Sequence, residues 1–469
     1  MVITHDAVIA ANHFGLGARP GELLQINTDP RGWLKAQVEG ARELPAAIAS
    51  LTSSAQAFQQ QVEVIRGKRA AKQAGDAADI INPKRRVILD LYLAQVAARY
   101  QVAIHSSESF RERLIHFWSN HFAVSADKIA VAALAGTLEN EAIRPMLQRH
   151  FYDLLLAVET HPAMILYLDN QASMGPHSQL AQRAQRRGVS ERKLDINENL
   201  AREILELHTL GVSGGYTQAD VTTFAQVLSG WSIGGGQGRL NSGEPGKFVF
   251  REALHEPGAK TLLAKRYAEE GFNQGATVLK DLSRHPATAK FIATKLARHF
   301  IADDPPPKEI ERIAKVFRDS DGHLPTVHRA LIDSAQVWAQ GVSTGGASKF
   351  KTPHEYVVST LRAFDFVPEK PQQVLAPFEL LGQRPYSPGS PAGWADIASQ
   401  WDGSDALMKR IEWAMQVAQR MAVRSNPLAL AETSLGDAIG EHTRMAIGTA
   451  ADAVQGITLC LVSPEFLRR

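Results

Sequence analysis

Glu203 and Glu206, with Arg202 and Asn199 beside them, form the densest set of polar side chains in a defined frame. They stand in the segment Leu194–Gly211, where Asp195 and Glu198 make a plausible helix cap and Gly211 a helix stop. At about 100° per residue, these four groups share one helical face, opposite Leu200, Ala201, Ile204, Leu207 and His208. Two glutamates three residues apart can share a hard divalent metal if further ligands arrive from elsewhere, so Glu203 and Glu206 are the candidate metal ligands. They can also act as a general acid–base pair when burial and mutual repulsion raise one pKa, with Arg202 orienting an anionic substrate group. A complete Glu-x-x-Glu-x-His metal site fails on one regular helix, because His208 turns away from the carboxylates. The plainer alternative is an Arg202–Glu206 pair on an ordinary amphipathic helix, worth a few tenths of a kcal/mol.

Other polar groups could complete such a site. In Leu114–Phe122, the side chains of Glu112, His116 and Asn120 share a face, and His121 follows at the helix end, where it can turn into a cleft. Histidine among aromatic residues is more often a satisfied core or capping group than a ligand. Asp169-Asn170 and His255-Glu256-Pro257-Gly258 are polar turns. Thr217 and Asp220 read as a helix cap rather than as chemistry. No phosphate cradle is present, since Gly234-Gly235-Gly236 lacks the Lys-Ser/Thr ending. No cofactor-binding residue is assigned, and a divalent metal is the one cofactor the pattern suggests.

Helices must position these groups. Apolar residues recur at helical spacing in Arg85–Tyr100, Phe110–Asn120, Glu139–Val158, His285–Phe300, Pro307–Arg318 and Ser404–Val423. The spacing predicts a mainly α fold: a multi-helical single large globular unit, or two closely packed helical subdomains. It leaves room for at most a small β-hairpin, from Lys247–Phe250 and Lys260–Leu263. One domain over 1–469 is expected, divisible into 1–105, 106–345 and 346–469. The basic stretch Ser173–Lys193 reads as a loop suited to a lid or a contact.

Composition narrows the chemistry further. The chain has 469 residues, with 51 Lys+Arg against 49 Asp+Glu, which gives no bulk reason to expect nucleic-acid binding. One cysteine, Cys460, excludes an intramolecular disulfide and a thiolate cluster. The first twenty residues lack a leader's basic start and long apolar segment, so a cytoplasmic location is expected as the sequence stands. No uninterrupted apolar run approaches the roughly 20 residues of a transmembrane helix.

Several segments together resemble a bacterial family known as domain of unknown function 1800. They are Phe117-Trp118-Ser119-Asn120-His121-Phe122, His161-Pro162-Ala163-Met164, Asn197-Glu198-Asn199-Leu200-Ala201-Arg202-Glu203 and Glu206-Leu207-His208-Thr209-Leu210-Gly211. Gly215–Val221, His285-Pro286 with Lys295-Leu296-Ala297, Pro391-Ala392-Gly393-Trp394 and Ser463-Pro464-Glu465-Phe466 continue the pattern. The resemblance implies a shared polar cleft from Asn120, His121, Asp169, Asn199, Arg202, Glu203, Glu206 and His255. Family members are often encoded beside a sulfatase-like protein and often exported, which implies a partner of that kind and a periplasmic site if a leader is removed. Two functions are therefore expected. One is a hydrolase-like or metal-assisted enzyme with Glu203, Glu206, Arg202 and His121 catalytic and Asn199, Asn120, Asp169 and His255 holding substrate. The alternative is a non-catalytic binding or maturation partner of the sulfatase-like protein.

Overall fold

Proline at a first helical turn, preceded by a capping side chain, starts helix after helix along this chain. The proline loses nothing there, because the amide it lacks would be unbonded, and the preceding side chain satisfies a following one. Asp29, Thr352, Asn426 and Ser463 cap in this way, accepting from Gly32 N at 2.9 Å, Glu355 N at 3.3 Å, Ala429 N at 3.0 Å and Phe466 N at 3.2 Å. His161 and His285 do the same through Nδ1, with Ala163 N at 3.1 Å and Ala287 N at 3.2 Å. Their side chains therefore start helices.

The computed structural model describes residues 3–73, 81–187, 196–235, 241–339 and 349–469. Helices dominate, as the spacing predicts. One large hydrophobic cluster runs from Ala7 to Phe466, and two small ones form around Ile48 and Met174. The helix Ile81–His105 carries Tyr92, Leu93, Val96, Tyr100 and Ile104 into that core. Its stretch Arg86–His105 is long and apolar enough to cross a membrane by length and composition, and 61% of that window is buried within the protein. Four helices matter most to the site: Ile81–His105, Ser109–His121, Pro286–Phe300 and Pro353–Ala363.

The β structure differs from the single expected hairpin. Phe248–Phe250 (β2) pairs antiparallel with Trp231–Ile233 (β1), and Lys260–Leu262 (β3) pairs with Lys265–Tyr267 (β4). The β3–β4 turn places Leu263 and Ala264 at φ 49 and 62, the left-handed geometry that a two-residue hairpin requires. Asp220 holds this turn from outside, its Oδ1 accepting from Leu263 N at 2.9 Å while Oδ2 completes the cap with Thr217. Each predicted strand found a closer partner than the other.

Some helix boundaries also differ. Glu139–Val158 is a wide turn over Leu138–Ile143, a tight one over Arg144–Gln148, and an α-helix over Phe151–Glu159. Pro145 opens the tight turn, where its missing amide is harmless. Within the basic stretch, Gln179–Gln185 is helical, and 188–195 lie outside the described residues.

Candidate functional site

The Ser109–His121 helix buries nearly all its polar residues, which its amphipathic spacing does not anticipate. Two of its buried charges are matched by opposite charges. Glu112 takes both guanidinium nitrogens of Arg144 at 2.6 and 2.9 Å, and Arg113 donates to Glu355 and to the His13 and Gly15 carbonyls. Such pairing is what makes a buried charge tolerable. Beyond these pairs lies a cleft of about 320 Å³, within the size range of small-molecule sites.

One wall of the cleft is a charged network. His299 Nδ1 meets Asp396 Oδ2 at 2.6 Å, and its Nε2 accepts from Arg113 Nε at 3.1 Å, so the ring is neutral with its proton on Nδ1. Asp396 also faces Lys349 at 3.1 Å, and Glu355 faces Arg469 at 2.9 Å. These cations hold both carboxyls well below their usual range against the desolvation that opposes them. Tyr100, His354 and His116 form a second chain, joined at 2.9 Å and 2.9 Å, and Nε2 of His116 is left buried without a partner.

His121 closes another wall. Its Nε2 lies 3.2 Å from the His208 carbonyl oxygen, which can only accept, so Nε2 carries the proton and Nδ1 a lone pair. That Nδ1 is buried and has no hydrogen-bond partner. Burial, the nearby Lys295 ammonium and His208 hold the ring far below its ordinary pKa, so it is neutral. Lys295 and Arg298, one turn apart on Pro286–Phe300, also line the cleft. Burial pulls the Lys295 ammonium down to about 8.

Asn120 holds the facing loop. Its amide donates to the Trp394 carbonyl at 2.9 Å and accepts from Trp394 N at 2.7 Å, fixing the loop that carries Asp396. Gly393 lies against it at φ +80, where a Cβ would stand 2.3 Å from the Asn120 carbonyl oxygen. Pro391-Ala392-Gly393-Trp394 is thus a wall of the cleft, clamped by Asn120.

The remaining sequence-predicted groups lie elsewhere. Leu194–Gly211 is not one regular helix: Asn199–Glu203 is α-helical, and Ile204–His208 continues as a wider π turn. Asp195 lies outside the described residues, and the Asn199 amide is bonded instead by Asn197 Oδ1 at 2.9 Å. Arg202 pairs with Glu198 at 3.0 Å rather than with Glu206, because Glu198 is also drawn there by Thr222 and Gln218. Glu206 meets the Tyr216 hydroxyl at 3.5 Å. Glu203 is half-buried and its pKa is raised by desolvation, with His208, Glu206, Arg202 and Glu159 as its charged neighbours. His208 itself bonds buried Glu159 at 2.7 Å, away from the paired glutamates' exposed side. Asn199 is exposed, Asp169 pairs with Lys128 at 2.7 Å, and buried His255 bonds the Ser229 carbonyl at 2.9 Å. Among the described residues, no group of three or more His, Cys, Asp or Glu side chains is arranged to hold a metal ion.

The cleft therefore gathers His121 and Asn120 from the predicted set and adds Arg113, Lys295, His299, Glu355 and Asp396, which sequence reasoning missed. Two signals pointed there: Lys295 lies in a segment resembling the family pattern, and Asp396 follows Pro391–Trp394. A family model described as "Protein of unknown function (DUF1800)" matches residues 9–468. No curated protein and no solved structure matches the chain.

Proposed function

We propose, for a chain that belongs to the DUF1800 family, a hydrolase-like acid–base enzyme whose reaction takes place in the cleft between the helices Ser109–His121 and Pro286–Phe300. The observation that carries this reading is the Nδ1 lone pair of His121, buried without a partner on a cleft-lining residue. Buried polar atoms are usually bonded, and an acceptor without a partner on a cleft-lining residue is suited to a proton donor that enters with substrate. His121 is the proton acceptor, its tautomer set by the His208 carbonyl. Because His121 is only 1% exposed, the proton comes from a docked hydroxyl or water rather than from bulk solvent. Asn120 and His299 are positioning residues that fix Trp394 and Asp396. Glu203 stands behind the site, near the His208 ring that Glu159 orients.

The test is a panel of carboxyl, phosphate and sulfate esters and amides offered to the full chain and to His121→Gln. The wild type should turn over one class, and His121→Gln should lose about 100-fold or more in kcat. Absence of turnover in every class, or equal turnover by the variant, would contradict the reading. The sulfatase-like partner and a divalent metal at Glu203 and Glu206 belong to the same proposal as separable parts. Pull-down with the sulfatase-like protein, and metal content of Glu203→Gln beside wild type, test them without reference to turnover.

A further inference from the structure

Two of the four lysines and arginines lining the cleft are already neutralised. Arg99 faces Glu139 at 3.1 Å, and Arg113 is bonded to Glu355. Lys295 and Arg298 differ: among the described residues, neither has a carboxylate within ion-pair distance. The Lys295 ammonium lies 5.7 Å from the centre of the Phe291 ring, and Arg298 donates only to the Asp303 carbonyl, at 3.3 Å. Asp396 is the acid that acts on Lys295, and it is already engaged by His299 and Lys349. Three residues apart on one helix, the two side chains share a face, and exposed Arg298 marks where the cleft reaches the surface. A cation held in a partly desolvated wall without a counter-charge is an incomplete ion pair, and the missing half is an anion. His121, nine-tenths buried and open at Nδ1, completes the wall beside Lys295.

We infer that Lys295 and Arg298 form an oxyanion subsite that takes the carboxylate, phosphate or sulfate group of a small substrate. The inference rests on the cleft reading above and gives that cleft its substrate class. It also bears on the weak basicity of His121 in the free protein, which burial causes first and Lys295 deepens. Lys295 and His208 are the charged and titratable groups facing it, and Lys295 repels a proton on the ring. An anion beside Lys295 offsets that repulsion, so binding makes His121 a stronger proton acceptor than it is in the free protein.

Calorimetric titration of the full chain with inorganic phosphate, sulfate and acetate tests this. At least one ion should bind saturably to the wild type, and Lys295→Met and Arg298→Met should each weaken it by about tenfold or more. Lys295→Arg should restore binding. The imidazole NMR signals of His121 should titrate at higher pH with the ion bound than without. No saturable binding of any of the three, or unchanged binding in Lys295→Met and Arg298→Met, would overturn the inference. Absent binding with turnover lost in His121→Gln would remove the anion and leave the acid–base reading. Binding lost in Lys295→Met with turnover unchanged in His121→Gln would do the reverse.

Discussion

Arginine does two different jobs in this molecule, and the difference lies in what each guanidinium touches. Arg362, fully buried, donates to the carbonyls of Gly17, Ala103, Ile104 and Ser106 and to Glu22 at distances of 2.6 to 3.0 Å. It ties three distant segments together and leaves no capacity for a ligand. Arg362→Met should therefore destabilise the fold by about 3–5 kcal/mol, since it leaves Glu22 with Arg19 alone and removes the donor from four carbonyls at once. Denaturant unfolding measures this, and a loss below about 1 kcal/mol would show that the carbonyls find other partners. Arg298, by contrast, keeps only one bond, to a carbonyl. Sequence could not separate these cases. A lysine or arginine on an amphipathic helix reads as a solvated face, whereas Glu203 and Glu206 stand out as a pair although neither lines the cleft.

Among the elements, the loop that carries Asp396 is the most exacting. Asn120 grips Trp394 from both sides, and Gly393 meets Asn120 with no room for a side chain. Gly393→Ala should cost about 1–3 kcal/mol through the left-handed backbone and the clash, and should weaken phosphate binding by shifting Asp396 and its neighbours. Unfolding curves and a phosphate titration of this variant check both, and wild-type values in each would show the clamp to be slack. Helix starts were legible in the sequence because a cap is local: Thr217 with Asp220, and a helix start at Pro286, follow from neighbouring residues alone. The π turn at Ile204–His208 was not. It depends on the burial of His208 against Glu159, a residue forty-nine positions away.

The whole molecule keeps an unusual set of histidines neutral. Burial, aided by nearby arginines, lowers His13, His328 and His354 to about 3 and His299 to about 4, from an ordinary 6.5. Each resists a proton in the folded state that the unfolded chain accepts readily. Their stabilising effect is complete above 6.5 and is lost as pH falls from 6.5 towards 3. The melting temperature should accordingly decline steadily below pH 6.5, well before ordinary carboxylates titrate. A flat profile down to the carboxylate range would contradict the neutral assignment.

At this scale the mainly α class was legible, because helical spacing repeats along the chain. The cleft was not, because Arg113, His121, Lys295, Glu355 and Asp396 converge only through packing between helices far apart in sequence. The placement of the chemistry is the central claim, and turnover of His121→Gln beside Glu203→Gln, on whichever substrate class the wild type accepts, tests it most directly. The account predicts a loss of about 100-fold in kcat for His121→Gln and only a few-fold change for Glu203→Gln. The opposite order would return the site to the paired glutamates.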